Sequence, residues 1–254
     1  LSLSENIRRI EYQAFDGCSS LENVELPGKL EYLGYYVFRG TAIKKVTIPK
    51  TVNDVDYNYG NGSNGPFAGA LNLKEVTFEE GMQTIPSYIL SSNAYTSGVS
   101  KIVIPSTVKT IEYEAFAGCD GLVGIELPEG ITEIGNGAFM KCTSLESIVL
   151  PKKLKVLGSS AFYGSGLKRV EFTYNDEMVN NGDRGEELYR CEIQSNAFQK
   201  CSSLSSLSLS ENIRRIEYQA FDGCSSLENV ELPGKLEYLG YYVFRGTAIK
   251  KVTI

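Results

Sequence analysis

The sequence predicts a β-rich repeat solenoid: coils of about 23 residues, each laying one strand into a parallel sheet on the concave face. Three observations predict it. A pattern of apolar, Pro, Ala-Phe and Cys positions returns at fixed offsets along the chain. Apolar residues alternate where each copy closes, as they do in a half-buried strand. Proline follows that alternation directly and ends the ladder, because it has no N–H to donate.

The repeat is clearest in three adjacent segments, 104–126, 127–149 and 150–171. They share [LI]-P-x-x-[VIL]-x-x-[IL]-x-x-x-A-F-x-x-C-x-x-L-x-x-[VI]-x. Copies begin at Leu3, Leu26, Ile48, Phe78, Ile104, Leu127, Leu150, Phe172, Leu209 and Leu232, and the next position of the kind is Ile254. Their spacing is 22 or 23 residues except where it lengthens to 30, 26 and 37, which marks three insertions in ten coils. A unit this short cannot bury its own apolar face, so the coils must stack on one another.

Each position has a physical reading. In 145–150, Ile148 and Leu150 point inward and Ser147 and Val149 outward, and Pro151 stops the strand. Pro27, Pro49, Pro105, Pro128 and Pro233 occupy the same place. A second short apolar pair follows, such as Leu154 and Leu157, and then Ala-Phe fills the inside of a turn. The Gly two residues after Phe (Gly17, Gly40, Gly118, Gly164, Gly223, Gly246) suits a reversal with φ > 0. Stacked at about 4.8 Å per strand, ten coils make a rod or shallow arc of about 50 Å. The ladder expected inside it is Phe15, Cys18, Phe38, Phe67, Phe116, Cys119, Phe139, Cys142, Phe162, Phe198, Cys201, Phe221, Cys224 and Phe244.

The pattern LPxxLxxLxxxAFxxCxxLxxI closely resembles the BspA-like class of leucine-rich repeat, over essentially the whole chain apart from the insertions. The resemblance implies a cell-surface or secreted, extracellular protein of a host-associated organism. It implies adhesion or protein binding, by repeats that carry no catalytic residues.

A longer period lies over the short one. Residues 1–48 are identical to residues 207–254, an offset of 206 that equals eight repeat spacings. Residues 1–206 therefore read as an eight-coil supermodule and 207–254 as the start of an identical next one. Surface-type residues such as Glu5, Asn6, Arg8 and Arg9 recur as faithfully as core Leu and Phe, which folding does not require. Leu1 and Ile254 both fall in the expected strand, without polar capping coils. The expectation is a frame from a longer array, with self-association into fibres as an alternative to binding a protein or glycan ligand.

Composition narrows the chemistry. Apolar residues make up 42% of the chain, enough for a continuous core. The formal net charge is −6, and no Lys/Arg run offers the footprint that nucleic acid requires. No apolar stretch is long enough to span a bilayer. Histidine is absent, and with it the commonest general acid/base and metal ligand. No nucleophile–base set, phosphate loop or metal motif is visible, so neither an enzyme nor a cofactor is expected.

The cysteines of the ladder read as small buried thiols. Adjacent coils place Cys119 beside Cys142 and Cys201 beside Cys224, but parallel Cβ vectors make poor disulfide geometry. Cys191, outside the ladder, is expected in an insertion, either free or paired with another exposed thiol. Asp176, Glu177, Asp183 and Glu186 cluster in the insertion of 174–190, read either as a solvated contact loop or as a Ca²⁺ loop, although the spacing matches no EF-hand. Tyr57 and Tyr59 offer contact area in the insertion between Val55 and Phe67, where Asn61-Gly62-Ser63 is a glycosylation sequon. Other tyrosines fall on turns, where they either cover neighbouring coils or make lateral contacts between chains. The outward strand positions, from Asn23 and Glu25 to Ser206 and Ser208, form a mixed face without aromatic residues.

Overall fold

The computed structural model describes residues 1–58, 63–94, 96–173 and 190–254. It is a parallel-strand β-solenoid of about ten turns. No helix occurs among the described residues, and no helix is long and apolar enough to cross a membrane. The core is one continuous column running through all the coils.

The strand expected before proline forms where its alternation is strong. Lys45–Ile48, Ser147–Leu150 and Arg169–Phe172 each alternate exposed and buried residues and bury the last one. Neighbouring strands are parallel and in register, with Val46 beside Val76 and Ile148 beside Val170. This first row is nevertheless broken into separate pieces. Residues 122–127, where a strand was expected, are not one. Gly124 occupies its outward position there with no side chain to pack, and Gly weakens a strand interior.

The more continuous sheet is the second row. The short apolar pair of each coil is itself a two- to four-residue strand, as at Thr110–Ile111, Glu133–Ile134, Val156–Leu157, Cys191–Ile193 and Ile213–Ile216. Seven such strands join without a break, from Thr84–Ile85 to Tyr238–Leu239. Glycine follows the pair in several coils because consecutive backbones nearly touch at that point. A Cβ on Gly135 would lie 2.8 Å from the Glu112 carbonyl carbon, and one on Gly240 would lie 2.7 Å from that of Glu217.

A third ladder runs through the Ala-Phe turns. The Phe116 N–H donates to Ala138 O (2.9 Å), Phe139 to Ala161 (2.7 Å), Phe162 to Ala197 (2.7 Å) and Phe198 to Ala220 (2.7 Å). Residues two before and two after Phe donate in the same way, for example Glu114 to Asn136 O and Gly118 to Met140 O. To present alternate N–H groups from so tight a turn, both flanking residues are left-handed. The six glycines expected after Phe all have positive φ, and Lys141 and Lys200 adopt it in coils that lack Gly. The position two before Phe is left-handed as well at Gln13, Tyr36, Glu114, Gly137, Ser160, Asn196, Gln219 and Tyr242, but not at Gly65, which precedes Pro66 and Phe67. No residue-type signal marks that position in the sequence.

The Phe rings stack down the column at 5.1–5.6 Å, from Phe15 through Phe38 to Phe67 and from Phe139 through Phe162, Phe198 and Phe221 to Phe244. The stack is interrupted in the coil of 78–103, where Leu90 stands in for Phe and Phe78 tilts against Phe116 instead.

Candidate binding surfaces and structural ladder

Of the ladder residues, Phe38, Phe67, Phe116, Phe139, Phe162, Phe198 and Phe221 are buried, as are Cys119, Cys142, Cys201 and Cys224. Phe15 and Phe244, in the first and last coils, are half-buried. Cys18 departs from the expectation and is exposed, because no described coil lies against that side of it. The structure also corrects the placement of Cys191. It is neither exposed nor in a loop but sits buried at the start of the strand Cys191–Ile193, with its side chain in the core.

The ladder thiols have a specific task. Cys142 Sγ donates to Phe116 O (3.3 Å), Cys201 to Phe162 O (3.1 Å) and Cys224 to Phe198 O (3.2 Å). Each thiol thus ties its coil to the Phe carbonyl of the coil before. In the shorter units Thr41 and Thr247 hydroxyls donate to Phe carbonyls of their own coils (2.8 and 2.7 Å). Burial pushes the Cys119 and Cys191 thiols up to about 12 and the Cys201 thiol up to about 11, so they stay protonated. All six cysteines are free.

Charges join coils on the outside. Arg39 Nε donates to Asp16 Oδ1 (2.8 Å), and the identical pair recurs as Arg245 and Asp222 (2.9 Å). These guanidiniums hold both carboxyls below the usual aspartate range. Glu75–Lys101 and Glu146–Lys168 pair across the first strand row at 3.0 and 2.6 Å. The outward positions of that row stay exposed or half-exposed and carry no aromatic residue.

Tyrosines mostly lie on their neighbours. Tyr12 stacks on Tyr35 (5.3 Å), Tyr57 on Tyr88 (3.7 Å), and Tyr88 meets Tyr113 (5.3 Å). Tyr57 is half-buried in this stack. Tyr59, Asn61, Asp176, Glu177, Asp183 and Glu186 lie outside the described residues. Among the described residues no group of three or more acidic or Cys side chains is placed to hold a metal ion.

The outward side of the second row differs from coil to coil while its inward side is always Ile, Leu or Val. Arg9 stacks over Tyr32 (3.7 Å) and Arg215 over Tyr238 (4.2 Å), roofing the sheet within each copy of the identical block. Between them the face opens into a trough of about 550 Å³.

Three hydrogen-bonded ladders around a single apolar column, with variable outward faces, define a leucine-rich-repeat-type solenoid scaffold. The chain belongs to the BspA type leucine rich repeat family, whose profile matches in six copies over residues 1–64, 94–182 and 191–254. Solved structures show the same fold. A leucine-rich repeat protein from Bacteroides ovatus aligns with a TM-score of 0.64 at 23% identity, over 99% of this chain and 71% of that one. A T. pallidum leucine-rich repeat protein aligns at 0.59 and 23% identity, over 86% of this chain and 94% of that one. One from Eubacterium ventriosum aligns at 0.53 and 23%, over 97% and 70%. A search of curated proteins found no match.

Proposed function

We propose that this chain is a non-enzymatic scaffold, exposed at a cell surface or secreted, that binds a protein or glycan partner. The observation that carries the reading is the contrast between its two sides. The inward pattern repeats in every coil, whereas the outward row of the second sheet runs through Arg9, Tyr32, Asp54, Thr84, Thr110, Glu133, Val156, Glu192, Arg215 and Tyr238. Packing fixes the first set and leaves the second free to present a surface. The insertion of 174–190 is a contact segment on this reading, since insertions in repeat arrays commonly serve contacts. The test is adhesion of beads coated with the chain to cultured epithelial cells. Replacing 174–190 by a short Gly-Ser turn reduces adhesion on this proposal. Equal adhesion with and without the insertion removes the loop from it, and no adhesion above uncoated beads removes the reading.

A second reading, a structural fibre or sheath of many identical 206-residue modules, is favoured by one observation. Residues 1–48 recur unchanged at 207–254, exposed residues such as Arg8 and Arg9 included, which folding alone does not require. A chain with the module repeated in tandem forms, on this reading, a single rod that lengthens by about 40 Å per module in electron micrographs. Modules appearing as separate beads on a string contradict it.

A further inference from the structure

Among the described residues the trough in the middle of the second sheet is a stretch of that face that side chains leave uncovered, and we infer that it is a binding site for a neutral oligosaccharide. The inference rests on the binding reading above and names the ligand class and the residues that take it.

The floor is bare backbone. Gly135 and Gly158 stand on adjacent coils, and a Cβ on Gly158 would lie 2.5 Å from the Gly135 carbonyl carbon. The same close approach that excludes a side chain also leaves no side chain to fill the trough. Glu112 walls one side and Gln194 the other. They are three coils apart, which gives about 15 Å at the spacing of parallel strands. That width accommodates two or three sugar rings lying across the strands.

The polar groups are of both kinds and partly unused. Asn136 spends its Oδ1 on the Ser159 N–H (2.8 Å), and Gln194 spends its Oε1 on the Ser159 hydroxyl (3.5 Å). Both amide NH2 groups are left as donors, and the Thr110 hydroxyl and Glu133 carboxylate have no partner among the described residues. Glu112 takes the Ser87 N–H and hydroxyl on one oxygen (3.0 Å each) and keeps the other. Mixed donors and acceptors at fixed spacing suit a ligand whose hydroxyls do both.

Tyr113 supplies the apolar contact. Its ring is 43% exposed at the rim and braced from behind by Tyr88. A ring of this kind packs its face against the C–H side of a sugar while its hydroxyl stays available for a hydrogen bond. The charge selects further. Glu112 and Glu133 line the trough, and no Lys or Arg does. Sialylated, sulfated or uronic-acid sugars meet like charge, so the ligand is neutral. The groove on the first strand row, around Asn23, Lys45 and Glu75, has no aromatic wall.

Titration calorimetry of the full chain against cellotriose, maltotriose, xylotriose, mannotriose and chitotriose tests this, with 3′-sialyllactose as the anionic control. The expected result is binding of at least one neutral trisaccharide with Kd between about 10 μM and 1 mM. Tyr113→Ala and Glu133→Ala each weaken it at least tenfold with the melting temperature unchanged, and Val156→Arg, which fills the trough, abolishes it. Absence of binding to all five, binding indifferent to Tyr113→Ala and Val156→Arg, or equal binding of the sialylated control overturns the site. A chain that adheres to cells yet binds no oligosaccharide loses this inference and keeps the scaffold reading.

Discussion

Phe116 illustrates how much a single position contributes. Its ring is fully buried, its N–H pairs with the next coil, and its carbonyl accepts the Cys142 thiol. Truncating it opens a cavity that touches the coils on both sides. Phe116→Ala is expected to cost about 3–5 kcal/mol, read from denaturant unfolding. Lys141 illustrates the opposite case. Its φ of 58° is the left-handed conformation that glycine adopts in most other coils, and its side chain is exposed. Lys141→Gly relieves about 1 kcal/mol of backbone strain, against the extra freedom glycine brings to the unfolded chain. A higher denaturation midpoint in Lys141→Gly is therefore expected, and a lower one contradicts the turn geometry. The thiols give a third check. Cys18 is exposed and the other five cysteines are buried. Ellman's reagent should titrate one thiol in the native chain and all six in guanidinium. Because burial raises the pKa of the five, their contribution is complete below about pH 8.5 and is lost as the pH rises through the folded values.

Between elements, ion pairs spaced one coil apart add a pH dependence of known sign. Arg39 and Arg245 depress the carboxyls of Asp16 and Asp222 in the folded state. The stabilisation is present above the unfolded value of about 4 and is lost as the pH falls through the lower folded values. Arg39→Met and Arg245→Met should each raise the midpoint of acid unfolding, followed by circular dichroism, and leave the alkaline limb unchanged. Legibility in the sequence also divides at this scale. The Pro-terminated strand, the Phe column and the Gly turns were legible because each uses a residue type suited to one geometry. The continuous second sheet was seen only as an apolar pair, since two residues are too few to show alternation. The left-handed position before Phe was invisible, because Gln, Tyr, Glu, Ser and Asn all occupy it and the neighbouring coil's carbonyl, not the residue, sets its conformation. Cys191 was misplaced because the insertion before it obscured the register of its strand. The trough was illegible for a similar reason: Tyr113, Glu133, Gly158 and Gln194 lie on four different coils, and only the stacking brings them to one face.

Across the whole molecule, cohesion passes from coil to neighbouring coil through three backbone ladders and one apolar column. Stability in such an array is close to a sum of nearest-neighbour terms, so interior coils are held from both sides and outer ones from one. Half-buried Phe15 and Phe244 beside fully buried Phe139 and Phe162 express that difference in the structure. Native-state hydrogen exchange tests the central claim, a single continuous solenoid, most directly. The predicted result is slow exchange at the turn amides of Phe116, Phe139, Phe162 and Phe198, together with both strand rows of the same coils, grading to faster exchange toward each outer coil. Fast exchange at those turn amides, or protection confined to one block of coils with a sharp boundary, would contradict it.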